Sequence, residues 1–205
     1  MNTLDQKTDN KENTNPNPIK KQPLTKSKTL TIHKLDTDWV FWYTTRRENQ
    51  DTIPYNERLQ RVCTFSTLED FFHHWVYLKP ASDVDRFTDL ALFKKGHKPL
   101  WEECPNGGVW FFRMKKNDDS LEKDSRWEKL VFAMIGEQFD EPNILGAVLS
   151  VRARETIIEL WFTYNKDDTL KGQIVKSLAL ILDLDQSTFF FKDNAISLQV
   201  TLIVI

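Results

Sequence analysis

Apolar and polar positions alternate between two periods along this chain of 205 residues. Trp39 to Thr45 is dense in aromatic and β-branched residues and predicts a strand. Thr67, with Asp70 three residues on, opens a helix in the manner of a capping box, with Asp for the usual Glu or Gln. Leu68, Phe71, Phe72, Trp75 and Leu78 then recur at helical spacing. Pro105-Asn106-Gly107-Gly108 predicts a turn, and Val109 to Met114 a strand after it. Trp127, Leu130, Val131, Met134 and Ile135 mark a second amphipathic helix. Ala147 to Ala153 and Thr156 to Tyr164 predict two strands of a hairpin. Ile174, Leu178, Ile181 and Leu182 mark a third helix, and Phe189 to Phe191 a closing strand.

The helices are separated by strands without strict βαβ repetition. An α+β fold follows, with an antiparallel sheet carrying helices on one face. Residues 1–28 read instead as a disordered tail. They hold six Lys against three acids, and their four apolar side chains (Met1, Leu4, Ile19, Leu24) cannot offset the entropy of ordering. No apolar run follows the start, as a signal peptide requires. The segment 194–205 is apolar, β-prone and too short to span a bilayer, and no function is assigned to it. The domain is therefore expected over 29–193.

Composition narrows the function. The chain is 40% apolar and 12% aromatic, enough for a sizeable core, and its seven Trp and fourteen Phe exceed what a core alone needs. A net charge of −2 excludes a generic polybasic nucleic-acid binder. Cys63 and Cys104 cannot form a disulfide framework or a four-thiolate zinc site, and a reducing compartment is the simplest reading. His73 and His74, adjacent on a helix, point about 100° apart and are poorly placed to chelate one ion. No nucleophile elbow, phosphate loop or dinucleotide fingerprint is present, so no enzyme chemistry, metal or cofactor is expected.

Trp101 and Glu102 sit between Lys98-Pro99 and the Gly-Gly turn, on a loop. A ring beside a carboxylate suits a flat cation with in-plane N–H donors: the ring face attracts the charge, worth about 2 kcal/mol when desolvated, and the carboxylate accepts parallel hydrogen bonds. Arg152 and Arg154, two apart on the expected strand, are placed to grip phosphates. A half-buried Trp and a solvated Arg pair fit the same residues.

Further segments give a resemblance. HKLDTDWVFWY (33–43), FSTLEDFF (65–72), LFKKGHKPLWEE (92–103), GGVW (107–110), WEKLVFAMIGEQF (127–139), GAVLSVRAR (146–154) and IIELW (157–161) stand in the order and spacing of one family. Over about residues 33–193 the chain resembles the mRNA cap-binding translation initiation factor 4E family. The resemblance implies a curved antiparallel sheet of about eight strands with three helices on its convex face. It implies a ligand, the 7-methylguanosine cap joined to mRNA through a triphosphate. Trp101 and Tyr55 match the two stacking rings, Tyr55 where most of the family has Trp. Glu102 matches the carboxylate that bonds the guanine N1–H and amino group, and Trp161 the ring against the N7-methyl. Arg152 and Arg154 match phosphate-gripping positions.

The sequence also departs from the family. Val109 and Ile157 stand where basic residues are usual, implying weaker phosphate binding. With Tyr55 and the 127–139 segment, Ile157 resembles the 4E-homologous class, often called class II, which is closer to translational repressors than to general initiators. The family's second surface takes a partner helix with a Tyr-x-x-x-x-Leu-apolar motif, from a scaffold initiation factor or a repressor. His33, Leu68, Phe72 and Trp127 match it, with Phe72 for Trp and Lys34 for Pro. The resemblance implies a cytoplasmic, non-enzymatic monomer with no membrane partner. The alternative is an interaction scaffold of the same fold whose cap site is weakened or lost.

Overall fold

The computed structural model describes residues 31–46 and 53–196. The expected tail (1–28) and nearly all of the apolar end segment lie outside those residues. Seven strands form one curved antiparallel sheet in the order β2-β1-β3-β5-β6-β4-β7. The strands are β1 (Lys34–Thr45), β2 (Gln60–Thr67), β3 (Thr88–Lys94), β4 (Gly107–Lys115), β5 (Ile144–Val151), β6 (Glu155–Thr163) and β7 (Phe190–Asp193). Between them run α1 (Tyr55–Arg58), α2 (Leu68–Trp75), α3 (Ser120–Ile135) and α4 (Asp168–Leu182). The α+β class and the antiparallel sheet are as the sequence predicts. Seven strands stand for the eight implied, and α1 is a single turn beyond the three expected helices.

Local chemistry sets the helix boundaries. Thr67 Oγ1 accepts a hydrogen bond from Asp70 N–H at 3.1 Å, which starts α2 at the predicted residue. Asp119 caps α3 through Leu121 N–H, and Asp167 caps α4 through Thr169 and Leu170. Asp183 ends α4 in the left-handed region, at φ 53°. The hairpin is also present, but β5 ends at Val151. Arg152 and Arg154 therefore lie in the connecting turn and not on one face of a strand, which corrects the expected pairing.

The two faces of the sheet differ. Trp39, Phe41, Leu92, Leu149, Leu160 and Phe162 point toward α2, α3 and α4 and form the main core with Phe71, Trp127, Leu130 and Ile174. Val148, Phe93, Val109 and Trp161 point the other way and make a smaller apolar floor, with Trp42, Trp101 and Phe111 packed on it. Alternation along each strand produces the division.

Gly146 joins the two layers at the irregularity of β5. A Cβ there would lie 2.4 Å from Leu92 O and 2.5 Å from the Phe93 ring. Neither a backbone carbonyl nor a fully buried ring can give way cheaply. Gly146→Ala is expected to lower the unfolding free energy by about 1–3 kcal/mol, read as a drop in thermal midpoint.

Candidate functional site

A cavity of about 850 Å³ opens on the smaller apolar floor. Trp161 and Glu159 of β6 and Val148 of β5 form its base, the α1 turn brings Tyr55 and Arg58, and the loop after β3 brings Trp101, Glu102 and Glu103. Asp89 and Arg152 complete it. Five of the six expected ligand residues thus line one cavity: Tyr55, Trp101, Glu102, Arg152 and Trp161. The sixth, Arg154, is exposed in the β5–β6 turn and outside the lining.

Each ring is held in a different way. Tyr55 opens α1 after Pro54, and the Arg58 guanidinium lies 5.8 Å from its ring centroid. Arg58 is itself fixed by donating to Ile53 O and Thr45 O. Burial, then the Asp89 and Glu159 carboxylates, hold the Tyr55 hydroxyl well above the ordinary phenol range, so the ring stays neutral. Trp101 starts a single 3-10 turn (Trp101–Glu103) whose Cys104 N–H donates back to Trp101 O. The side-chain amide of Asn194 ties that turn to the end of β7 by donating to Cys104 O at 3.0 Å. The Gly107 turn must lie against the same loop: a Cβ on Gly107 would be 2.2 Å from Cys104 Sγ. Trp161 packs edge-on to Phe93 at 5.6 Å, and its Nε1–H donates to Glu159 Oε2 at 2.9 Å.

The charged groups are largely committed. Arg152 Nη1 lies 2.7 Å from Asp89 Oδ1, an ion pair by distance though outside hydrogen-bond geometry. The same nitrogen donates to Val151 O and Thr88 O. Glu103 pairs with Lys98 at 3.2 Å. The Lys192 ammonium sits 3.7 Å from the Trp101 ring centroid, at cation–π distance, and burial pushes its pKa down.

Asp89, Glu159, Arg58 and Lys192 were not anticipated from sequence. Glu159 leaves a signal, as a carboxylate inside the apolar run Ile157-Ile158-Glu159-Leu160-Trp161. Lys192 leaves none, since only the register that sets it opposite Val109 reveals its place. It supplies a cation across the strands from the position where the resemblance misses an arginine.

The expected partner residues lie at the other face. His33 is anchored to α2: its Nδ1 is 2.6 Å from Glu69 Oε1, and Leu68 N–H donates to His33 O at 2.8 Å. Phe72 is 43% exposed and continues into Val76 and Tyr77, also exposed, beside Phe132. Trp127 is only 2% exposed, so it supports this shelf from within the core. No group of three or more His, Cys, Asp or Glu among the described residues is arranged to hold a metal ion.

Comparison with known proteins places this chain in a family. The family model for eukaryotic initiation factor 4E matches residues 34–201, and the chain belongs to that family. It is 35% identical over 169 residues to eukaryotic translation initiation factor 4E-1 of Capsicum annuum, covering 80% of this chain and 72% of that protein. Among solved structures it resembles C. elegans eIF4E-3 in complex with the 4E-binding protein Mextli and a cap analog (TM-score 0.74, 30% identity, 82% of this chain and 95% of that one). It also resembles Ascaris suum eIF4E-3 with an m2,2,7G cap (TM-score 0.74, 29% identity, 80% of this chain and 92% of that one).

Removing Arg152 leaves the Asp89 carboxylate without its cation in a mostly buried place. Arg152→Met is expected to destabilise the fold by about 1–2 kcal/mol, below the 3–5 of a fully buried pair because the arginine is part-exposed. Adding Asp89→Asn is expected to restore most of the loss, and chemical denaturation of the single and double variants measures both.

Proposed function

We propose that this protein binds the 7-methylguanosine cap of mRNA in the cavity of Tyr55, Trp101, Glu102 and Trp161, and regulates translation initiation without catalysing a reaction. The convergence of two aromatic walls, a carboxylate and an indole floor in one cavity carries the reading. N7-methylation gives guanine a delocalised positive charge, and a ring face attracts that charge more than a neutral base. Glu102 accepts from the N1–H and the exocyclic amino group, a bidentate pattern that adenine cannot supply. Trp161 lies against the methyl edge, and Arg152 and Arg154 serve the phosphates. Solved relatives with cap ligands support the ligand class.

Tyr55 in place of Trp, Ile157 in place of a basic residue and the 127–139 segment support the class II branch and with it a repressive role, while Val109 and Ile157 weaken the phosphate grip. Each missing phosphate contact forgoes about 1–3 kcal/mol, less where solvent screens it. The partner is a scaffold initiation factor or repressor whose Tyr-x-x-x-x-Leu-apolar helix lies on the α2–α3 shelf around Leu68, Phe72 and the anchored His33. The protein works as a cytoplasmic monomer. No helix among the described residues is long and apolar enough to cross a membrane. The same two losses motivate the alternative, a partner-binding scaffold with a weakened cap site.

Tryptophan fluorescence titration separates the two. Quenching by 7-methyl-GTP at concentrations where GTP has little effect is expected, and equal or absent responses overturn the cap reading. Glu102→Ala is expected to weaken 7-methyl-GTP binding about tenfold or more, the worth of a charge-assisted pair, with the fold intact. A peptide carrying the partner motif is expected to bind the wild type and to lose affinity with Phe72→Ala. Unchanged affinity would move the partner site elsewhere.

A further inference from the structure

We propose that Glu159 is the charge-reading carboxylate of the cavity, the counter-ion that makes the site prefer a cationic N7-alkylated purine over its neutral parent. The inference deepens the cap reading of the same cavity and rests on it.

The placement of Glu159 is the first observation. On the cavity side of β6 its neighbours along the strand are Ile157 and Trp161, and its cross-strand partners are Val148 and Phe111. All four are apolar. A carboxylate set among them gives up hydration that these neighbours cannot replace, a poor arrangement for stability alone. Burial, with the Asp89 charge, accordingly pushes the Glu159 carboxyl up, against the opposing effects of the Trp161 N–H, Lys192 and Arg152.

The second observation is what Glu159 touches. Oε2 accepts from Trp161 Nε1 at 2.9 Å, so the carboxylate is fixed to the indole that floors the cavity. Among the described residues no cation is in ion-pair contact with it: Arg152 is spent on Asp89, and Lys192 lies over the Trp101 ring. The third observation is the balance of the lining. Asp89, Glu102, Glu103 and Glu159 share the lining with three guanidiniums, those of Arg46, Arg58 and Arg152, while Lys98 pairs with Glu103 and Lys192 lies over the Trp101 ring. The surroundings are mixed in charge and not uniformly basic, as a site for phosphates alone would be. A carboxylate held there out of ion-pair contact favours a positive base, because a charge within a few ångströms in a low-dielectric recess discriminates strongly. It also shifts recognition from phosphates to base, in keeping with the losses at Val109 and Ile157.

The coupling has a definite sign. A bound cation favours the ionised carboxylate, so at pH below the raised carboxyl range binding must release a proton, and the preference for the methylated base falls as pH falls. The titratable and charged groups around Glu159 are Asp89 from β3, Arg152 after β5, Lys192 from β7 and Tyr55 from α1, with Glu102 and Glu103 sharing the cavity.

The test is calorimetric titration of 7-methyl-GTP and GTP into the wild type and Glu159→Gln, from mildly acidic pH downward, where the N1–H of the methylated base is fully protonated. Gln keeps the acceptor for Trp161 and removes a desolvated charge, so its thermal midpoint is expected to be no lower than that of the wild type. Glu159→Gln is expected to lower 7-methyl-GTP affinity about tenfold, leave GTP nearly unchanged, and lose the acid-side decline in selectivity that the wild type shows. An unchanged selectivity ratio in Glu159→Gln overturns the role of Glu159 while the cap reading stands. So does a wild-type selectivity that does not decline with falling pH, a result that does not depend on the variant folding. A wild type that fails to prefer 7-methyl-GTP at all overturns the cap reading, and this proposal with it.

Discussion

Side chains on a strand alternate, so β3, β5 and β6 must serve a helix-packed core on one side and the floor of an open cavity on the other. Every feature of the site depends on that constraint. Leu160 and Phe162 are committed to the helices, which leaves Glu159 and Trp161 as the positions of β6 free to address a ligand. A slip of one residue in register would exchange the two sets and lose core and cavity together. At the irregularity of β5, position 146 must be glycine, because a side chain there would strike Leu92 and Phe93 at the seam between the two layers.

The sheet supplies a rigid floor, while the walls are short pieces of irregular chain. Tyr55 stands on one turn of helix and Trp101 on one 3-10 turn. Neither turn has a core of its own, so each is tied down by polar contacts: Arg58 to the carbonyls of Ile53 and Thr45, Asn194 to the carbonyl of Cys104. Fixing the rings before a ligand arrives lowers the ordering cost of binding. Charge is handled in the same way. Arg152 and Asp89 neutralise each other inside the recess, and Lys192 rests on the Trp101 ring. Among the described residues Glu159 has no such cation in contact.

Much of this was legible in the sequence. The cap at Thr67 gave the start of α2 to the residue, although the helix ends at Trp75 and Leu78 of the same apolar series lies in the turn beyond it, and Trp101-Glu102 stood out because a loop beside a Gly-Gly turn is an odd place for a large ring. β2 and β3 escaped a periodicity reading for opposite reasons. β2 is an edge strand with many exposed polar positions, and β3 is covered on both faces, so its pattern does not alternate. Arg152 and Arg154 read as one strand face, yet β5 ends at Val151 and the turn separates them. Asp89 and Lys192 could not be found from sequence, because their meaning lies in cross-strand register.

In the proposed complex a methylated guanine lies on the Trp161 floor between Tyr55 and Trp101. The most direct measurement is a nuclear Overhauser experiment on the complex with 7-methyl-GDP, following the N7-methyl protons. Contacts are expected from that methyl to the Trp161 ring protons, with ring-current upfield shifts of the base protons from the two walls. Methyl contacts to residues outside the cavity, or none to Trp161, would contradict that placement.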